Sequence, residues 1–244
     1  MANMNVGVPR FYPDMISYLL SRGITQDGNF DVVTGTDLIG IQTGSESELF
    51  DMKPLNKVDF DTGASSASKA DHVLINIDTQ SATSKKSFIA ILNHNLASSV
   101  GKIRIFAGDE NTDHTAIDGA NAETADITWA DDTLTEVVNA DTTTAAGDDK
   151  SVVIEPATDG STIVTFAEQT NRYWGIQFEG NTTNTGAAVN GTWGSTDLFV
   201  GCIMIGEVFE MPHAPDLAVK RSISFEGMNK IQQSIGGQRY SNSS

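Results

Sequence analysis

Apolar residues recur at every second position in a series of short segments that begins near residue 70. His72–Asp78 sets Val73, Ile75 and Ile77 on one face, and Lys102–Gly108 repeats this with Ile103, Ile105 and Ala107. A period of two predicts half-buried strands. Ser87–Asn93 is a continuous apolar run, which predicts a strand covered on both sides. Segments 152–155, 161–166, 173–180 and 198–211 return to strand patterns. Their close spacing predicts antiparallel neighbours or partners across a sandwich. Trp174, inside one of these runs, is expected in or beside the core.

A different period appears once, ahead of the strands. Met15, Ile16, Leu19 and Leu20 fall on one side at helical spacing. Pro13 fits the first helical position, Asp14 the first turn, Arg22 the last turn and Gly23 the position just past the end. Residues 30–41 and 49–63 read as extended chain interrupted by Gly and Asp. Between 108 and 150 the apolar pieces are short, which predicts a long loop region with room for a hairpin. Residues 181–196 form a second polar insertion. Pro212 and Pro215 break strand continuity because neither donates a ladder hydrogen bond. Two strand-like segments and a polar end follow them. The organisation predicted is an N-terminal arm with a short helix at 1–65, a two-sheet sandwich of about eight strands at 66–211, and a β-rich tail at 212–244. The fold class is all-β.

Composition sharpens this. Gly is frequent at 22 and Pro scarce at 6, as expected for strands joined by turns. Formal net charge is −17, which repels phosphate backbones and argues against nucleic acid as a partner. The charge is uneven. Residues 107–150 hold twelve Asp and Glu against Lys150 alone, whereas the tail holds Lys220, Arg221, Lys230 and Arg239 against Asp216 and Glu226. A tail of opposite balance suits docking on a neighbouring subunit, with Lys220, Arg221, Phe225, Arg239 and Tyr240 as its contact residues. Cys202 is the only cysteine, so no intrachain disulfide forms, and its apolar setting predicts a buried thiol. The opening residues lack a signal-peptide core and no run is long enough for a membrane span. Synthesis in a host cytoplasm is expected.

Few residues suggest chemistry. His94 sits between Asn93 and Asn95, a turn that reads either as a ligand loop or as a structural corner capped by the two amides. The four histidines, His72, His94, His114 and His213, show no metal-ligand spacing. Asp109, Asn111 and Asp113 alternate like the start of a calcium loop, but His114 replaces its Gly and Ala120 its closing Glu. Asp131-Asp132 and Asp148-Asp149 are paired carboxylates in loop sequence, a weak basis for glycoside hydrolysis. No nucleophile-elbow, phosphate-loop, dinucleotide or zinc-protease string is present. No catalytic residue, metal or cofactor is therefore predicted. Trp129 and Trp193 lie in polar stretches, where they read as sugar-stacking groups or as packing and interface anchors.

The order of segments over residues 65–211 carries a resemblance. A strand ending in Asn93-His94-Asn95-Leu96 leads through a polar linker into an alternating strand. An Asn171–Gly180 strand returns later, and a closing strand at 198–211 runs to a Pro. This resembles the galactose-binding-like, discoidin-type jelly roll of phage tail and baseplate proteins. The resemblance implies a virion structural protein that is not an enzyme, forms homo-oligomers and assembles with other virion proteins through its arm and tail. The alternatives are a carbohydrate-binding module that recognises host surface glycans, and a capsid decoration or fibre-base protein.

The acidic residues 109–126 are read as a solvated stretch, so removing divalent cations with a chelator should leave the melting temperature unchanged. A drop of several degrees that added calcium restores would show a real site.

Overall fold

The computed structural model describes residues 8–34, 38–63, 72–108, 135–136, 154–180, 193–213, 231–233 and 239–241. The chain divides into two units, Phe11–Phe209 and a smaller one made of Met1–Arg10 with Glu210–Ser244. Its elements are β1 (Arg10–Phe11), α1 (Met15–Ser21), β2 (Phe30–Val33), β3 (Ile41–Thr43), a 3-10 turn at Glu46–Phe50, β4 (Val58–Phe60), β5 (Val73–Asp78), β6 (Lys86–His94) and β7 (Gly101–Gly108). They continue with β8 (Thr135–Glu136), β9 (Gly160–Gln169), β10 (Tyr173–Gly180), β11 (Leu198–Val200), β12 (Cys202–Gly206), β13 (Phe209–Glu210), β14 (Ile231–Gln233) and β15 (Arg239–Ser241).

The larger unit is an all-β sandwich, as the alternation predicted. One sheet runs β2-β5-β10-β7-β8, with every neighbouring pair antiparallel. A second sheet runs β12-β6-β9, and a third, smaller one runs β11-β4-β3. Between them lies one core. Val73, Ile75 and Ile77 of β5, Trp174, Ile176 and Phe178 of β10, and Ile103, Ile105 and Ala107 of β7 share it with Ile89 and Ile91 of β6 and Ile203 and Ile205 of β12. Trp174 stacks on Phe166 with centroids 5.5 Å apart and donates its indole N–H to the Asn171 carbonyl at 2.9 Å. A buried indole thereby keeps its hydrogen bond.

The continuous apolar run of β6 is buried on both sides. Phe88 and Ala90 point away from the main core and form a second cluster with Cys202 and Met204, against which Tyr12, Leu92 and Val208 pack. Cys202 is fully buried, and burial pushes its thiol up to about 11. Strand β5 departs from expectation. Its second face, Leu74, Asn76 and Asp78, is buried as well, so alternation marked a change of polarity and not a change of exposure.

Residues assigned to an arm are instead part of this unit. Phe30 and Val32 sit on β2 at the edge of the five-stranded sheet, and Leu49, Phe50, Val58 and Phe60 are core residues. Short strands with Gly and Asp between them lack a clear period, which is why the sequence read as extended chain. The helix falls where predicted, but its cap shifts by one. Asp14 is the N-cap, accepting from the Ile16 and Ser17 N–H groups at 3.3 and 2.8 Å, and Pro13 precedes it. Gly23 takes φ of +90° just past the end, a conformation that Gly adopts without strain. The closing run 198–211 is three strands. At Gly201 an added Cβ would lie 2.1 Å from the Pro54 carbonyl oxygen. The chain passes that carbonyl and leaves the β4 pairing of β11 for the β6 pairing of β12.

In the smaller unit β14 and β15 pair antiparallel, Gln232 opposite Tyr240 and Gln233 opposite Arg239. Lys220, Arg221 and Phe225 lie outside the described residues.

Lys86 starts β6 fully buried. Its ammonium donates to the carbonyls of Ser81 at 2.7 Å, Asn171 at 2.8 Å and Thr170 at 3.4 Å. One cation thus ties the turn before β6 to the β9–β10 turn. Lys86→Met keeps the stem and strands those carbonyls, so it should cost about 3 kcal/mol in urea unfolding. A loss below about 1 kcal/mol would show that the carbonyls find other partners.

Candidate functional site

The Asn93-His94-Asn95 corner is a structural joint. Asn93 takes φ of +52° and donates its amide to the Pro54 carbonyl at 2.5 Å. Asn95 is 4% exposed and spans to the chain before β11, donating to the Asp197 carbonyl and accepting from the Phe199 N–H, both at 2.7 Å. His94 is 1% exposed. Its Nδ1 accepts from the Leu96 N–H at 3.2 Å, so Nε2 carries the proton and donates to the Thr162 hydroxyl at 2.8 Å. Burial lowers the imidazole pKa, opposed by the carboxylate of Asp159. These side chains are spent on the fold, which corrects the ligand-loop option.

Trp193 also belongs to the core. It is 7% exposed and lies over Gly101, where a Cβ would come within 2.6 Å of its ring. A ring so covered packs and does not stack on a sugar. Its polar neighbours in sequence concealed this, because the apolar partners, Leu96 and Gly101, come from another segment. Trp129 lies outside the described residues, as do the acids 109–126. Among the described residues no group of three or more His, Cys, Asp or Glu is placed to hold a metal ion.

The larger unit has a groove elsewhere. Pro13, Asp14, Met15 and Tyr18 of the helical segment line one side, Gly206, Glu207, Val208 and Phe209 the other, and Ser84 and Lys85 one end, around about 600 Å³. The volume falls within the usual range for small-ligand sites. Tyr18 is 60% exposed, and Phe209 is 55% exposed with Phe11, itself 52% exposed, at 6.2 Å between centroids. Aromatic rings this exposed retain faces that a ligand can cover.

Local chemistry fixes the walls. The Asp14 carboxylate caps α1 and also accepts from the Ile205 N–H at 3.3 Å, joining the helix to β12. Gly206 allows the close approach, since a Cβ there would lie 2.2 Å from the Pro13 carbonyl oxygen. Val208 donates its N–H to the Ser87 hydroxyl at 2.8 Å, and Tyr12 packs edge-on against Phe88 at 5.1 Å. Lys85 pairs with Glu168 at 2.7 Å on the surface. That hydrogen bond and the Glu168 charge raise the lysine pKa, with a further contribution from Glu207, so Lys85 stays protonated between two carboxylates. Sequence reasoning passed over Tyr18, Phe209 and Phe11. The one available signal was Tyr18 on the polar side of a helix whose apolar face is Ile16, Leu19 and Leu20.

No family model matches the chain, and no curated protein does. Solved structures do. Chitosan-binding module 1 of a chitosanase/glucanase from Paenibacillus sp. IK-5 aligns at 12% identity and a TM-score of 0.41, covering 72% of this chain and 92% of that one. CBM32-1 of a family 31 glycoside hydrolase from Clostridium perfringens aligns at 12% and 0.39, covering 76% and 98%. A putative chitobiase fragment from Bacteroides thetaiotaomicron aligns at 10% and 0.39, covering 79% and 94%. The fold itself is the all-β sandwich that the strand order shows. The tail or baseplate expectation is overturned here, because these neighbours are carbohydrate-binding modules and parts of sugar-cleaving enzymes, and none of the three is named as a virion protein.

The neutral His94 gives a pH test. Its folded pKa lies below the unfolded value near 6.5. Below that value the unfolded chain takes up a proton that the folded one resists, so this stability is full above about 6.5 and lost as pH falls. Wild type should lose more stability than His94→Gln between pH 8 and pH 5 in urea unfolding. Equal losses would show that His94 does not titrate against the fold.

Proposed function

We propose that this chain is a non-enzymatic carbohydrate-binding module, with the saccharide lying in the groove between α1 and the Gly206–Phe209 segment. The observation that carries the reading is the pair of exposed aromatic side chains, Tyr18 and Phe209, lining one groove with a charged and hydroxylic rim. A sugar ring has an apolar C–H face and a polar edge. Exposed aromatic rings cover the first, while Ser84, Lys85 and Glu207 offer hydrogen bonds to the second. Binding is favoured over cleavage by the carboxylates. Glycoside hydrolysis takes two acids flanking the bond, and among the described lining residues Asp14 is committed to three backbone N–H groups, which leaves Glu207.

The net charge of −17 favours neutral or cationic polysaccharides over anionic ones. Affinity electrophoresis and calorimetry with cellulose oligomers, chitosan and pectin test this. Neutral or cationic chains should bind, with Tyr18→Ala and Phe209→Ala each weakening affinity by about tenfold and leaving the melting temperature unchanged. Binding that persists undiminished in the Tyr18→Ala, Phe209→Ala double variant would place the site elsewhere. Chitosan binding abolished by moderate salt would be charge attraction alone.

A further inference from the structure

One wall of the groove by α1 presents a carboxylate that the fold does not use. Gly206 is held by its close approach to the Pro13 carbonyl, and the Val208 N–H is bonded to the Ser87 hydroxyl at 2.8 Å. Glu207 stands between these two anchors, so its backbone is fixed from both sides. Val208 packs against the outer cluster of β6 and β12, while Glu207 and Phe209 on either side of it are exposed. Both line the groove, and two residues of chain span at most about 7 Å. The carboxylate and the aromatic ring therefore rise close together from the same wall.

The charges around that wall sum to the negative side. Lys85, at the groove's end, is taken up by Glu168 at 2.7 Å on the surface. Asp14, on the opposite wall, is spent on three backbone N–H groups. Among the described residues no hydrogen bond or ion pair engages the Glu207 carboxylate. One lysine thus stands against the three carboxylates of Asp14, Glu168 and Glu207. The faces of Tyr18 and Phe209 act with the same sign, since an aromatic face attracts a cation.

We infer that the groove selects a saccharide carrying a free ammonium group, and that Glu207 is the residue that reads it. The inference rests on the groove being the saccharide site. A carboxylate only accepts hydrogen bonds and an ammonium only donates them, so the two match in charge and in hydrogen bonding together. A hydroxyl or an N-acetyl group offers Glu207 no charge to pair with. A ring laid on Phe209 brings its substituents beside Glu207. The Lys85–Glu168 pair offsets the lysine's charge, which leaves that of Glu207 to act on the ligand.

The test is calorimetry at mildly acidic pH with cellotriose and the matching trimers of glucosamine and N-acetylglucosamine, which share a backbone and differ at one substituent on each ring. Wild type should bind the glucosamine trimer about fivefold more tightly than the other two, the upper range for a solvent-exposed ion pair. Glu207→Gln should bring the three affinities level. Asp27→Asn removes the same charge from an exposed position outside the groove lining and should keep the preference. Equal binding of all three by wild type, a preference that survives Glu207→Gln, or one lost alike in Asp27→Asn would overturn the role of Glu207 and leave the groove as the saccharide site. If none of the trimers binds wild type, or if all three bind undiminished after Tyr18→Ala and Phe209→Ala together, the groove is not the saccharide site and the inference falls with that reading.

Discussion

Phe88 to Leu92 place apolar side chains on both sides of one sheet, and two parts of the molecule are assembled by that. Ile89 and Ile91 enter the core between the sheets, while Phe88 and Ala90 make the outer cluster with Cys202 and Met204. Burial of the outer side needs a cover, and Tyr12 and Val208 supply it. Those two residues are the neighbours of Pro13 and Phe209, so the packing demand of one strand sets the walls of the groove. Apolar burial here contributes about 25 cal/mol for each Å² removed from water. The cap of Asp14 and the missing side chain of Gly206 only direct where the helix lands.

Charge is handled differently inside and out. The chain is strongly acidic, yet several of its cations are interior or tied down: Lys86 among three carbonyls, Lys102 and Arg104 on Glu179, and Arg172 on Asp78. A buried cation is tolerated where its donors meet acceptors in fixed geometry. Lys86 and Arg172 meet that condition and hold turns together. At Glu179 both cations meet one buried carboxylate oxygen.

The resemblance that carried the fold also carried a misleading function. The order of strands pointed to a β-sandwich, and this architecture serves many partners. Virion assembly was attached to the fold by association. The groove argues differently, because it joins exposed aromatic faces to hydrogen-bonding rim groups, the two surfaces that a saccharide presents.

What the sequence determined was local. The period of two set the strands, the spacing of Met15, Ile16, Leu19 and Leu20 set the helix, and the unbroken run 87–93 announced a strand buried on both sides. These follow from backbone geometry and solvent exclusion acting over a few residues. What only the tertiary structure decided was long-range. Trp193 is core because Leu96 and Gly101 come to it from another strand end. His94 is neutral and structural because Thr162 and the Leu96 N–H meet its two nitrogens. Tyr18 and Phe209 share a groove because Gly206 lets α1 settle on β12. Each of these depends on contacts between residues far apart in the chain, and such pairings leave no periodicity for a single sequence to display.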